Sequence, residues 1–216
     1  MPAQSFPGSY EDDRGVESVV WRIEPTERYG PKNRRFEIHT VIREIPVWGF
    51  YFDDLEPDDA APGHATVLPL NDAEELHECV LRADLPCTVE VNGKRRPTTV
   101  RFTVDLRVKE PKQAPLNQHL AMELDGTTYE AVAHYGLDDG LQHLEATLPA
   151  GVRLVCCRTC LYSGYSPYGG GGLIGIRCHR EAKTQYLAVR SKHDYLPDLV
   201  TEEVPETYLC PEYQRH

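Results

Sequence analysis

The chain has 216 residues, 40% of them hydrophobic and 26% charged, with a formal net charge of −11. That length buries one large core, or a domain plus a small module, and the composition is that of an ordinary globular protein. A helical membrane span is excluded because no apolar run approaches the roughly 20 residues one needs. Nonspecific nucleic-acid binding is excluded because an acidic body repels phosphate backbones.

The acidic excess is uneven. Residues 151–216 carry 8 Lys and Arg against 7 Asp and Glu, whereas residues 1–150 carry 15 against 27, a net of −12. A solvated acidic surface accounts for this more simply than a basic partner does. The opening MPAQSFPGSYEDDRG has neither a basic start nor an apolar segment, so it does not read as a secretory signal. A cytoplasmic, reducing setting is therefore expected, in which clustered cysteines serve as metal ligands or free thiols rather than disulfides. The odd count of seven cysteines points the same way.

In chain order, residues 1–17 are rich in Pro, Gly, Ser and acids and read as a flexible tail. Ser18–Ile23 is a first strand. Gly30-Pro31 marks a turn. Arg35–Ile45 alternates Phe36, Ile38, Thr40 and Ile42 on one face; Pro46 interrupts it, and Val47–Phe52 resumes as a short aromatic strand. The acidic loop Asp53–Gly63 lacks the ligand order of a calcium loop and reads as solvated. Leu76–Leu85 alternates like a strand, although its Asn71-Asp72 start also suits a helix.

The firmest local signal is a hairpin, Cys87–Val91, Asn92-Gly93, then Thr98–Val108, with Val100, Phe102, Val104, Leu106 and Val108 on one face. Leu120–Leu124, Asp125-Gly126 and Tyr129–Ala133 suggest a second. Asp138–Leu148 is a short helix with Leu141, Leu144 and Leu148 on one stripe, a reading that Gly140 weakens. The sum is a mainly β fold, α+β at most: an antiparallel, β-sandwich-like body over 18–150, and a small cysteine-rich module over 151–216 packed on it.

Cys157 and Cys160 have the C-x2-C spacing of a metal knuckle, in which two thiolates of one tight turn face the same ion. The run Gly169–Gly172 is a reversing loop, since no P-loop Lys-Ser/Thr follows it. Leu173–Cys178 then returns as a strand, bringing Cys178 back, and Cys210 arrives last. The expected metal site is one structural zinc on Cys157, Cys160, Cys178 and Cys210, with Cys156, His179 and His193 as possible substitutes. Glu181–Val189 reads as helical.

The pattern C-x2-C-x-x-S-x-Y-S-P-Y-G, then a Cys preceding Arg180, K-x-x-Y-L-x-V-x-S-K from Lys183, and E-T-Y-L-C from Glu206 resembles a bacterial family of domains of unknown function. The resemblance covers about residues 152–215 and only loosely the strand-rich body. This chain departs from it at Gly164, where members carry Asp, and at His179, where they carry Phe. The resemblance singles out the same four cysteines and implies no activity.

The leading functional expectation is a non-enzymatic, protein-binding or accessory protein with a structural zinc site, whose partner is another protein rather than nucleic acid or membrane. The alternative is an enzyme using the Cys/His cluster, as thiol nucleophile or as an open catalytic metal site, in a biosynthetic pathway.

Overall fold

A computed structural model describes residues 4–26, 35–58, 63–107, 117–167 and 175–215. The turn expected at Gly30-Pro31, Val108 of the hairpin face and the run Gly169–Gly172 lie outside them.

The chain opens with β1 (Gln4–Asp12), where a flexible tail is expected from composition. Its glycine and proline have structural uses instead. A Cβ on Gly8 would lie 2.1 Å from the Arg82 carbonyl oxygen and 2.2 Å from Nε1 of Trp21, so this strand position needs a bare backbone. Pro7 sits just before the ladder to the neighbouring strand begins at Gly8. β2 (Gly15–Thr26), β3 (Arg35–Ile42), β4 (Ile45–Gly49) and β5 (Glu56–Pro57) follow as an antiparallel meander. The β3–β4 turn carries Arg43 and Glu44 at φ 50° and 68°, left-handed positions with no glycine to announce them.

After a single helical turn, α1 (His64–Val67), come β6 (Val80–Val91) and β7 (Lys94–Asp105), joined at Asn92-Gly93 with φ 50° and 79° as a two-residue hairpin turn demands. β8 (Asn117–Leu124) and β9 (Thr127–Ala133) form the second expected hairpin, with Asp125 and Gly126 at φ 52° and 78°. The strand order is β5-β4-β3-β2-β1-β6-β7-β8-β9. The body's strands thus lie in one continuous antiparallel sheet rather than in two facing ones, as the sandwich-like expectation had it. The fold remains mainly β with two sheets, the second a small one nearer the C-terminus.

The inner face of the large sheet carries the core. Trp21, Ile38, Leu81, Val100 and Leu120 are all fully buried, each from a different strand. Phe52 packs edge-on against both Trp21 and Phe102, with ring centroids 5.0 and 5.5 Å away. β1 and β6 lie between the strands of those two partners, and the Trp21 ring reaches across β1 over Gly8 to meet Phe52. The Trp21 indole donates to the Arg82 carbonyl at 2.7 Å, which satisfies its buried N–H.

The helix α2 (Leu137–Thr147) closes the far end of this face against β8 and β9, burying Leu137, Leu141 and Leu144. Gly140, which weakens the helix on propensity, is what lets it approach: a Cβ there would lie 2.2 Å from a Leu120 methyl and 2.8 Å from Ala133 Cβ. β10 (Val152–Leu154) then adds to the end of β6 that β1 leaves open.

The remaining elements are short. β11 (Ser163–Gly164), β12 (Ile176–Cys178) and β13 (Glu202–Val204) form the three-stranded sheet, and α3 (Lys183–Ala188) lies between the last two. Their small core is Cys157, Ile176, Cys178, Val204 and Cys210, with Tyr208 packed on it.

Candidate functional site

The four cysteines of the expected zinc knuckle are all buried. Cys157 opens a 3-10 turn and donates its N–H to Tyr208 O at 2.7 Å; Cys160 closes that turn. Cys178 is on β12, and its Sγ accepts from Arg180 Nη1 at 3.7 Å. Cys210 Sγ accepts the Glu212 N–H at 3.3 Å.

Cys157, Cys178 and Cys210 therefore do meet, in the small core with Ile176 and Val204. Yet among the described residues no group of three or more His, Cys, Asp or Glu side chains is arranged to hold a metal ion. This overturns the zinc knuckle and with it the expectation of a structural zinc as cofactor. It equally removes the alternative of an enzyme using a Cys/His cluster, whether as an open metal centre or as a thiol nucleophile. Burial pushes the Cys157 and Cys178 thiols upward, which keeps them neutral within the small core. All seven cysteines are free.

The histidines proposed as substitutes are elsewhere. His179 is fully buried, stacked on Tyr186 at 3.8 Å with rings 4° apart. Its Nδ1 lies 3.3 Å from Tyr162 O and its Nε2 2.8 Å from the Tyr195 hydroxyl. Burial lowers it to about 4, so it is a neutral structural group at pH 7. His193 is exposed on a 3-10 turn.

A different site lies where α2, β10 and the turn after Cys156 converge. Val155 donates to Thr88 O at 2.8 Å, extending β10 along β6, and the chain then bends sharply. Thr159 holds the bend: its Oγ1 lies 3.2 Å from the carbonyl oxygens of Leu154 and Cys156 and 3.0 Å from the Tyr213 hydroxyl. Between this bend and α2 is a cleft of about 170 Å³, walled by Leu141, Gln142 and Glu145 of α2 and by Leu154, Cys156, Arg158 and Thr159.

The charges of the cleft are unequal. Glu145 Oε1 accepts from Arg215 Nη2 at 2.9 Å and from the Leu154 N–H at 3.2 Å, while Arg215 Nη1 donates to Leu154 O at 3.1 Å. That carboxylate is therefore matched. Arg158 is not: its Nη2 donates to the Gln142 side-chain oxygen at 3.1 Å, and its Nε is buried with no partner among the described residues. On the floor, Cys87 of β6 hydrogen-bonds Cys156, which lowers the Cys156 thiol against the opposing effect of burial and raises that of Cys87. Backbone N–H groups of Arg158 and Thr159 add to the lowering.

Behind the cleft, Arg158 N–H donates to the Glu206 carbonyl at 3.0 Å. The Glu206 side chain is fully buried; its Oε1 accepts from the Tyr165 hydroxyl and the Gly175 N–H, both at 3.1 Å, and its Oε2 has no partner among the described residues. Burial raises this carboxyl to about 7.

Neither Gln142, Glu145 nor Arg158 is a candidate from sequence. The one available signal is that Gln142 and Glu145 stand three apart beside Leu141 on a helix, and so share a flank. Chemically, the cleft offers a leucine on each wall, the Gln142 amide and the Arg215-matched Glu145 on α2, and the Arg158 guanidinium and Thr159 hydroxyl opposite. Its one unmatched charge is the guanidinium, which suits a small organic anion.

The model of a family of unknown function, DUF6304, matches residues 4–163. The match spans the large sheet, α2 and the cleft and ends at Ser163, so Cys178 and Cys210 lie outside it. The resemblance over 152–215 placed the weight at the other end of the chain. No curated protein and no solved structure matches the chain.

Proposed function

The chain belongs to the family of unknown function DUF6304, and on that premise we propose that it is a binding protein for a small carboxylic acid, held in the cleft between α2 and Arg158. The observation that carries this reading is the buried, unpartnered Arg158 Nε at a cleft lined by both apolar and polar side chains. A buried donor without an acceptor costs about 1–3 kcal/mol, which a docking carboxylate returns through charge-assisted, two-pronged hydrogen bonds. The remainder of the ligand lies against Leu141 and Leu154. Engineered cavities of about 150 Å³ take benzene, so a ligand of roughly six to ten non-hydrogen atoms suits this volume.

The net of −12 over residues 1–150 supports partners other than nucleic acid. The seven free cysteines support a reducing compartment. Among the described residues, no helix is long and apolar enough to cross a membrane.

Titration calorimetry with benzoate, and with benzamide as its neutral counterpart, tests the reading. Wild-type protein should bind benzoate saturably and benzamide far more weakly. Arg158→Gln, on a surface turn, should lose about tenfold or more in benzoate affinity, the value of one charge-assisted contact. Equal affinity for the two probes, or an unchanged affinity in the variant, would remove Arg158 as the recognition group.

A further inference from the structure

The two edges of the large sheet are built differently. At one end β5 is only the two residues Glu56–Pro57. Shortness and proline are the usual ways of blunting a sheet edge. At the other end β9 is a seven-residue strand, TTYEAVA, with no lysine, proline or glycine in it. Among the described residues no strand pairs with its far side.

The hairpin register says which groups face outward. The two-residue turn makes Leu124↔Thr127 the closing, hydrogen-bonded pair, so alternate residues Thr128, Glu130 and Val132 turn their N–H and C=O away from β8. An independent contact agrees: Val132 O is 2.9 Å from His143 Nδ1 of α2, on the side away from β8. Just beyond the strand, the His134 N–H is taken by Asp139 at 2.7 Å. The helix thus caps one end of the edge, and among the described residues nothing takes the outward groups of Thr128 and Glu130. Beside the edge, Val132 and Tyr135 are 42% and 79% exposed.

We propose that β9 is a docking edge for an extended, basic segment of a partner protein, which adds to the sheet as a further strand. Charge selects this occupant. Glu123 and Glu130 are exposed on the strands here, Asp138 and Asp139 begin α2, and residues 1–150 together carry −12. A second copy pairing antiparallel about the centre of β9 would set Glu130 opposite Glu130, and like charges directly opposed across strands are destabilising. A lysine-bearing strand meets the same carboxylate favourably, while its main chain supplies the pairing and its apolar residues cover Val132 and Tyr135.

Fluorescence polarisation with a labelled heptapeptide of alternating Lys and Val tests this on the full chain. The peptide should bind wild type saturably, and more weakly as salt rises. A Glu/Val peptide, or the Lys/Val peptide N-methylated at alternate residues, should bind about tenfold more weakly or less, since each loses charge pairing or main-chain donors. Glu130→Pro removes an outward N–H without touching the β8 ladder and should abolish binding. Glu130→Lys keeps the backbone intact and should reverse the preference between the two peptides. Undiminished binding of the N-methylated peptide, indifference to both substitutions, or no saturable binding to wild type would overturn the proposal. So would a wild-type dimer in sedimentation that Glu130→Pro dissociates, since the edge would then serve a second copy.

Discussion

The large sheet and the C-terminal segment beginning at Cys157 solve the same problem by different means. The sheet buries side chains from strand after strand on one face, with Phe52 bridging Trp21 and Phe102 at its centre. The C-terminal segment has strands of two or three residues and a five-residue core in which three members are cysteines. It relies on particular polar contacts instead: the His179–Tyr186 stack, the His179–Tyr195 hydrogen bond, and buried Glu206 holding Tyr165 and Gly175. Apolar burial is nondirectional and spreads its stabilisation over many residues, whereas a polar contact concentrates it in one geometry. The first region should therefore fail globally when damaged, and the second locally.

Trp21→Ala is the strongest challenge to that contrast. It removes a fully buried indole, its hydrogen bond to Arg82 O and the support of Phe52, and should cost about 3–5 kcal/mol. Denaturant unfolding followed by circular dichroism should show one lower midpoint for the whole chain. A fall confined to residues before Cys157, seen by hydrogen exchange, would mean that the regions are not coupled in that direction.

Glu206→Gln probes the second region through pH. Burial raises the Glu206 carboxyl from 4.5 to about 7. Below 4.5 the carboxyl is protonated whether the chain is folded or not, and it contributes no pH dependence. Between 4.5 and 7 the unfolded chain releases the proton and the folded one retains it, so stability falls as pH rises through that window and levels off above 7. The glutamine variant should lack this slope and should exceed wild type at pH 8 by roughly 3 kcal/mol. Hydrogen exchange at pH 5 and pH 8 should place the difference around Tyr165 and Gly175. An identical slope in the variant would show that Glu206 titrates normally.

The smallest expected effect is at Gly164. A Cβ there would stand 2.6 Å from the Tyr186 hydroxyl, which donates to Ser163 O at 3.1 Å. Gly164→Ala should displace that hydroxyl at a cost of about 1 kcal/mol. Limited proteolysis should then quicken after Cys160 while the far-ultraviolet spectrum of the sheet is unchanged. A spectrum that changes as much as the cleavage would join the two regions into one cooperative unit.

Residue types and their order determined the local pieces. Asn92-Gly93 and Asp125-Gly126 made turns because left-handed backbone suits those residues, and the alternation from Val100 to Val104 set one face of β7 inward. Leu141 and Leu144 fell on a buried stripe because a helix repeats every 3.6 residues. Tertiary structure decided the rest. Alternation assigns a face but not a neighbour, so nothing local in Gln4–Asp12 places it between β2 and β6, where Gly8 admits the Trp21 indole. Spacing along the chain suggested a metal for Cys157 and Cys160, but ligation needs side chains to converge on one point, and the fold packs their neighbours Cys178 and Cys210 against Ile176 and Val204. The cleft belongs wholly to that level: Glu145, Arg158 and Arg215 come from distant stretches and acquire a shared chemistry only when α2, β10 and the chain end are brought together.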